Sequence, residues 1–576
     1  MIPATSTIPA TSTASFRSSR DALLLLRDDP ERAAAEFEWP DVGPRFNWAT
    51  DWFDAIAVGN DRLALWIVEE DGSELKVSFA EMAERSDRLA TWLVLRGVRP
   101  GDHVLLMLDN QVELWESMLA IMKAGGVILP TSTVLGSVDL ADRVARGGVQ
   151  HVIAGAGATS KFAAIQGGYT RICVGPTVDG WLDYEDSRTA AADRPAVVVG
   201  SDDPSLIYFT SGTTSKPKMV VHSQTSYAVG HLATMFWLGL QPGDIHLAIS
   251  SPGWGKHAWS CFFAPWIAEA TVFVYNYARF DPRALRDQLD RAGVTTFCAP
   301  PTAWRMLIQA DLGRKPEALR EILSAGEPLN PEVISQIQRA WGLVVRDGYG
   351  QTETTAIIAN SPGSELKAGS MGRPLPGARI TLVDPITGLR AEEGEICLDL
   401  SSATVNLMTG YRGDPERTAE TMRDGYYHTG DVARRDGNGF ITFIGRTDDI
   451  FKSSDYKVSP FEVESVLVEH AAVAEAAVVP APDATRLNVA KAYIVLAAGW
   501  EPTAATALAV LRHARNGLPA FTRVRRIEFF ELPKTASGKI RRVELRARED
   551  AAASDGLRFV DEWRDDQFPE LRSRRS

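Results

Sequence analysis

Four short polar segments hold the residue types that phosphate and carboxylate chemistry needs. The first is Tyr208-Phe-Thr-Ser-Gly-Thr-Thr-Ser-Lys-Pro-Lys218, which follows an apolar stretch. Small hydroxyl residues and glycine let backbone N–H groups and hydroxyls surround phosphate oxygens, and lysine adds charge. It is not a Walker A loop, because Pro217 replaces the required Gly and Met219 the required Ser or Thr. Taken alone, it fits a polar surface loop equally well. The second is Asp347-Gly-Tyr-Gly-Gln-Thr-Glu-Thr354. Glu353 suits a Mg2+ held by nucleotide phosphates and Thr352 a phosphoryl oxygen; a turn before a solvated helix start is the alternative. The third pairs Tyr427-His-Thr-Gly-Asp431 with Gly445-Arg-Thr-Asp-Asp449. Asp431 is a candidate to accept from two ribose hydroxyls, with a plain hairpin as the alternative. The fourth, Leu532-Pro-Lys-Thr-Ala-Ser-Gly-Lys539, puts Lys539 on a glycine-containing loop that either swings into a site or forms a solvated tip.

The elements that must position these segments alternate along the chain. Residues 79–98 read as an amphipathic helix and 149–154 as a strand. The strand leads into Gly155-Ala-Gly157-Ala-Thr-Ser160, one residue short of GxGxxG, for which a glycine turn is the better reading. Residues 245–250, 271–275 and 295–298 read as strands, 282–291 and 331–341 as helices. Short buried strands between helices predict an α/β core with much parallel sheet. Beyond about residue 376 the segments 380–383, 394–400 and 440–444 read as strands between glycine-rich turns, a small β subdomain. Ser459-Pro460-Phe-Glu462 marks a helix start, with Ser as N-cap, Pro at the first position and Glu completing a capping box. The polar stretch 447–457 before it reads as a linker, with the domain boundary at Asp448.

The chain has 576 residues, 45% apolar and 23% charged, with net charge −13. This suits a multi-domain globular protein and argues against nucleic-acid or membrane-surface binding. No apolar run reaches the roughly 18 residues of a membrane span. Cys173, Cys261, Cys298 and Cys397 are far apart without CxxC spacing, which predicts reduced cysteines in a cytoplasmic protein, Cys298 in a buried strand. The unit Ile-Pro-Ala-Thr-Ser-Thr occurs twice at the start, so residues 1–20 read as a disordered tail. Residues 21–447 and 448–576 are then the expected domains.

In this order and at these separations, the four segments resemble the adenylate-forming superfamily of acyl-CoA synthetases, peptide-synthetase adenylation domains and luciferases. The resemblance runs over roughly residues 52–545 and is strongest to acetyl- and medium-chain acyl-CoA synthetases in 210–223, Phe461-Glu-Val-Glu464 and 533–542. It implies a large N-terminal domain of layered α/β sheets with a small β subdomain, and a small mobile α+β C-terminal domain that turns about Asp448. It implies ATP, Mg2+ and coenzyme A as cofactors. A carboxylic acid and ATP would give acyl-AMP and pyrophosphate, and the CoA thiol would then displace AMP, in fatty acid metabolism. Residue by residue, it implies a triphosphate loop of Thr210, Ser211, Gly212, Thr213, Thr214 and Lys218, with Thr213 and Glu353 on the metal. Adenine would lie against Gly326, Glu327 and Pro328 and against Asp347, Gly348 and Tyr349, the latter segment continuing through Gly350 and Gln351. Asp431 and Arg446 would bind ribose. Thr352, Glu353 and Lys539 would act in catalysis, Lys539 entering for adenylation and leaving for thioester formation.

The acid pocket would include Trp254, Gly255 and Lys256, and two tryptophans with a lysine suggest a short, medium or branched acyl group; Trp259 fits the core at least as well. Coenzyme A would lie against Ser454, Asp455, Tyr456 and Arg523. Two departures fall in the thiol half-reaction. Ser454-Asp455-Tyr456 replaces the usual Ser-Gly-Tyr or Ser-Gly-His, and Ala520-Phe521-Thr522 replaces Pro-Tyr-Lys, with Arg523, Arg525 and Arg526 as nearby substitutes for the lysine. The alternative acceptor is a carrier protein or another nucleophile.

Overall fold

The computed structural model describes residues 10–210, 216–401, 404–453, 456–483, 486–535 and 539–571. Apolar runs become buried strands of two large sheets. The first runs in spatial order Arg373–Pro374, Ala356–Ala359, Arg346–Gly350, Glu321–Ala325, Thr296–Ala299, Ile245–Ala248, Thr271–Tyr275, Leu63–Val68 and Glu74–Ser78. Its middle is parallel and both edges are closed by antiparallel strands. The second runs Gly410–Tyr411, Lys218–Ser223, Pro204–Thr210, Val127–Pro130, His103–Met107, His151–Gly155, Thr170–Val174 and Leu182–Asp183.

Helices between the strands bury one stripe each. Pro282–Arg291 starts at Asp281, whose Oδ1 accepts from the Arg283 and Ala284 N–H groups at 2.8 and 3.2 Å, and it buries Leu285 and Leu289. Pro331–Trp341 is capped by Asn330 and buries Val333, Ile334, Ile337 and Trp341. These apolar residues pack with Phe297, Trp304 and Ile322 into one core. Phe79–Leu95 carries a full capping box, Ser78 with Glu81.

The chain forms two compact units. One takes the described residues of Met1–Ile380, Leu398–Tyr427 and Gly439–Ile441; the other those of Thr381–Cys397, His428–Asn438 and Thr442–Ser576. Both large sheets belong to the first. A five-stranded sheet of Ile380–Val383, Glu393–Asp399, Tyr426–Arg435, Met422–Arg423 and Ile441–Arg446 is the expected small β subdomain. The second unit adds a sheet of Val473–Asp483, Leu487–Leu496, Val524–Phe529 and Glu562–Arg564, with helices Pro460–Leu467, Ala504–Gly517 and Arg542–Ser554. Ser459 caps the first of these helices, accepting from the Glu462 N–H at 3.2 Å.

Two expectations are corrected. The described part of the presumed tail is a helix, Ala10–Leu25. Ser12, Phe16, Arg20 and Leu23 recur at helical spacing and are buried, and Arg20 stacks 5.0 Å from the Trp52 ring. The Thr/Ser-rich composition hides that stripe. The presumed linker 447–457 contains two antiparallel strands, Phe451–Ser453 and Tyr456–Val458. Its outward side chains are polar while Val458 is buried, so composition alone reads as loop.

Candidate active site

Thr210 ends one strand and Lys218 begins the next, and the two are register partners across the hairpin. The two ends of the Thr/Ser/Gly segment are therefore held side by side. Ser211, Gly212, Thr213 and Thr214 lie outside the described residues. The Lys218 ammonium stands 5.1 Å from the Tyr411 ring centroid.

The segment from Asp347 to Glu353 begins as a central strand and leaves the sheet. Gly348 is required there, since a Cβ would stand 2.4 Å from the Trp237 indole. The Asp347 carboxyl accepts the Gly348 N–H at 3.0 Å, yet burial pushes its pKa up to about 7 against that bond and the Lys256 charge. Tyr427 donates to Gln351 Oε1 at 2.8 Å. The Thr352 carbonyl accepts from His222 Nε2 at 2.7 Å. That bond fixes the tautomer, so Nδ1 accepts from Ser226, 3.1 Å away. Burial depresses His222 to about 4, and the imidazole is neutral at physiological pH. Glu353, buried, accepts from the Tyr411 hydroxyl at 2.9 Å. Burial and the Glu353 charge both push the Tyr411 phenol up, so it stays a donor.

Gly326, Glu327 and Pro328 follow the strand Glu321–Ala325, and Glu327 lies 4.0 Å from Arg305. The Ala325 carbonyl accepts from Lys256 Nζ at 3.1 Å, which ties that turn to the segment after Trp254. Trp254 is half-buried and precedes the short helix Gly255–Ala258. A Cβ on Gly255 would lie 3.4 Å from Thr352 Oγ1 and 3.1 Å from the Tyr227 hydroxyl. The structure thus gathers Trp254, Gly255, Lys256, the turn at Gly326, Asp347 and Thr352. Trp259 is buried and donates to the Tyr227 hydroxyl at 2.7 Å, as a core residue.

In the second unit, Asp431 is buried on Tyr426–Arg435 and accepts from Arg446 at 3.1 Å. Arg446 also lies 3.5 Å from Asp448. Lys539 is exposed. Tyr456 is exposed and stacks on Phe521, ring centroids 4.7 Å apart. Ser454 and Asp455 lie outside the described residues. Of the three arginines near residue 523, Arg525 is committed to Asp565 at 2.6 Å and Arg526 to Pro482 O at 2.9 Å. That leaves Arg523 as the one that pairs with no carboxylate among the described residues; burial, Arg515 and Arg525 lower its pKa.

His222, Tyr227 and Tyr411 were not singled out in the sequence. A histidine in the apolar strand after Lys218 is the only one of the three with a local signal. The four cysteines form no disulfide with one another and are buried, Cys298 in Thr296–Ala299 as expected. Cys397, isolated by spacing, lies with Glu395 and His428, their ligand atoms within 4.8 Å of one another.

The lysine-bearing hairpin and the buried Glu353 of the first unit, and the Asp431–Arg446 pair of the second, are residue types that nucleotide-handling enzymes use. The AMP-binding enzyme family model matches residues 52–412, and that for the AMP-binding enzyme C-terminal domain matches 462–539. The chain belongs to the AMP-binding enzyme family and is an AMP-forming acyl-CoA ligase. It is 41% identical over 524 residues to 4-hydroxybutyrate–CoA ligase 1 of Metallosphaera sedula, covering 89% of this chain and 92% of that one. It is 38% identical over 502 residues to the mitochondrial acyl-coenzyme A synthetase ACSM4 of Homo sapiens, covering 84% and 86%. Among solved structures it is similar to the anthranilate CoA ligase AuaEII in complex with anthranoyl-AMP, with a TM-score of 0.80 and 27% identity over 90% of this chain and 99% of that one. Among the described residues, no helix is long and apolar enough to cross a membrane.

Proposed function

We propose that the protein activates a short, medium or branched carboxylic acid with ATP and passes the acyl group to coenzyme A. The observation that carries the acyl part is the packing of Gly255 against Thr352 Oγ1, with Trp254 half-buried beside it. An acid seated there would meet the hydroxyl of the residue next to Glu353. The names of two relatives, a 4-hydroxybutyrate–CoA ligase and an acyl-coenzyme A synthetase, support a small or medium acid and CoA as acceptor.

The roles follow from charge. Attack of a carboxylate on the α-phosphate brings anions together, so cations and donors must be in place. Glu353, a hard oxygen donor oriented by Tyr411, fits Mg2+, which would neutralise charge on the phosphates. Lys218 and the hairpin hydroxyls would hold the triphosphate. Gly326–Pro328 and Asp347–Tyr349 would flank adenine, and Asp431 with Arg446 would hold the ribose. Lys539 would stabilise the α-phosphate during adenylation and withdraw as the unit beyond Asp448 turns. Tyr456 and Arg523 would contact CoA. A reducing compartment such as the cytoplasm suits the buried cysteines, which form no disulfide with one another.

The test is pyrophosphate release across acids graded in length, branching and ring content, with and without CoA. The expected result is release with small to medium acids and an acyl-CoA product. A preference for large polycyclic acids would overturn the substrate class. An acyl-adenylate that CoA does not discharge, but a carrier protein does, would overturn the acceptor.

A further inference from the structure

The second unit holds a buried trio to which the proposed chemistry gives no role: Glu395, Cys397 and His428. Sheet geometry brings them together. Glu395 and Cys397 are two residues apart on the strand Glu393–Asp399, so they share a face. His428 stands on the neighbouring strand, Tyr426–Arg435, and the Thr429 hydroxyl donates to the Ile396 carbonyl at 2.7 Å, which ties the two strands at this level. His428 Nδ1 lies 2.9 Å from Glu395 Oε2 and 3.5 Å from Cys397 Sγ. One oxygen, one sulfur and one nitrogen thus lie within 4.8 Å of one another. Zinc bonds of about 2.0 Å to nitrogen and about 2.3 Å to sulfur, at tetrahedral angles, set the two ligand atoms about 3.5 Å apart. The sulfur–nitrogen distance already has that value, and the nitrogen–oxygen distance needs to widen by only about 0.5 Å.

We propose that Glu395, Cys397 and His428 bind one divalent cation of the zinc class, through a carboxylate oxygen, the thiolate and Nδ1. Thiolate and imidazole donors select zinc-like ions over Mg2+. Charge agrees with the choice: thiolate and carboxylate carry two negative charges, the imidazole none, so a divalent ion makes the buried site neutral. Binding releases the Cys397 thiol proton to solvent, and water completes the tetrahedron. Glu395 and His428 each keep 8% of their side-chain surface exposed, which gives the ion a way in. Glu395 Oε1 also accepts the Gly430 N–H at 2.7 Å, an outer contact that orients the carboxylate. The next residue is Asp431, so a bound ion braces the turn that carries it. The inference does not rest on the adenylation reading. Glu353, the residue proposed for Mg2+, belongs to the first unit, and the test needs no turnover.

The experiment is anaerobic titration of the full chain, stripped with a chelator, with Co2+ in the presence of excess Mg2+, which saturates hard-oxygen sites. Cobalt is the probe because a thiolate ligand gives a charge-transfer band and tetrahedral coordination gives intense visible bands. Wild type should take up one equivalent with both features, and Zn2+ should abolish them by displacement. Cys397→Ser should lose the charge-transfer band, and His428→Gln should bind at least tenfold more weakly, with circular dichroism confirming that both variants fold. Zinc X-ray absorption of the wild type should show one sulfur among light scatterers. No charge-transfer band in wild type overturns the proposal, as does the same band in Cys397→Ser, which would assign it to another cysteine. A zinc shell of nitrogen and oxygen alone overturns it too, whether or not the variants fold.

Discussion

Lys539 is tied locally to Thr535: the Thr535 N–H donates to the Lys539 carbonyl at 2.8 Å, and the Lys539 N–H to Thr535 Oγ1 at 3.2 Å. With its ammonium exposed, replacing the side chain should leave the fold intact. Lys539→Ala should lower the adenylation rate by about 10²–10³, as for loss of one transition-state donor, while largely sparing thioester formation from pre-made acyl-adenylate. Rapid-quench assays of each half-reaction check this, and equal loss in both would make the lysine structural. Trp254 is the second test at this scale. Trp254→Gly should lower kcat/KM for short acids and raise it for medium ones, since each further buried methylene is worth about 0.8 kcal/mol. An unchanged ranking of acids, with ATP binding retained, would remove Trp254 as the size limit. The proposals for Glu353 and Asp431 start from the sequence because each sits inside a short, distinctive motif. His222 was not, because its partner Thr352 is 130 residues away, nor was Tyr411, 58 residues from Glu353.

The hairpin, helix and strand ends decide where these side chains stand. The pairing of Thr210 with Lys218 holds together the ends of the segment proposed to bind the triphosphate. Asp448 lies just before the strands Phe451–Ser453 and Tyr456–Val458 and makes, among the described residues, a 3.5 Å ion pair with Arg446. Such a weak, half-exposed contact suits a backbone that must change angle. Asp448→Pro, which fixes φ near −65°, should leave acyl-adenylate formation nearly intact and impair thioester formation. If both fell together in single-turnover assays, the hinge belongs elsewhere. The strands and helices of the α/β core were legible from short apolar runs and amphipathic stripes. The strands Phe451–Ser453 and Tyr456–Val458 and the N-terminal helix were not, because their polar, Ser/Thr-rich residues mask a stripe that only burial reveals.

Across the whole molecule, burial sets the response to pH. His222 is depressed to about 4 and His246 and His257 to about 3, all by burial, and His231 well below its ordinary 6.5. Below 6.5 the unfolded chain takes up protons that the folded one refuses, so the stability these groups provide is complete above 6.5 and is lost as pH falls toward 4. Each contributes a slope of up to about 1.4 kcal/mol per pH unit. Asp347 works in the opposite direction, since its pKa of about 7 lies above its ordinary 3.8 and its contribution declines as pH rises between the two. Burial also lowers His103 and His470 and raises Asp51, Asp87 and Glu462, so lowered histidines outnumber raised carboxyls among the described residues and should make the fold acid-labile. Calorimetry at pH 7.5, 6.5 and 5.5 should show Tm falling steeply below 6.5, and His246→Gln should flatten that fall. A Tm level from 7.5 to 5.5 would contradict it.

By itself the sequence determined the family of this protein, because the four motifs that mark it are a few residue types at short fixed spacing, and such spacing is visible along the chain. It also determined the alternation of strand and helix, which rests on local apolar periodicity. Tertiary structure alone decided which side chains hold those motifs in place and which histidines stay neutral. The His222–Thr352 and Tyr411–Glu353 bonds and the neutral buried histidines all depend on segments distant in sequence. Burial, and the shift in proton affinity that it causes, is a property of the packed core and has no signature in any single stretch of residues.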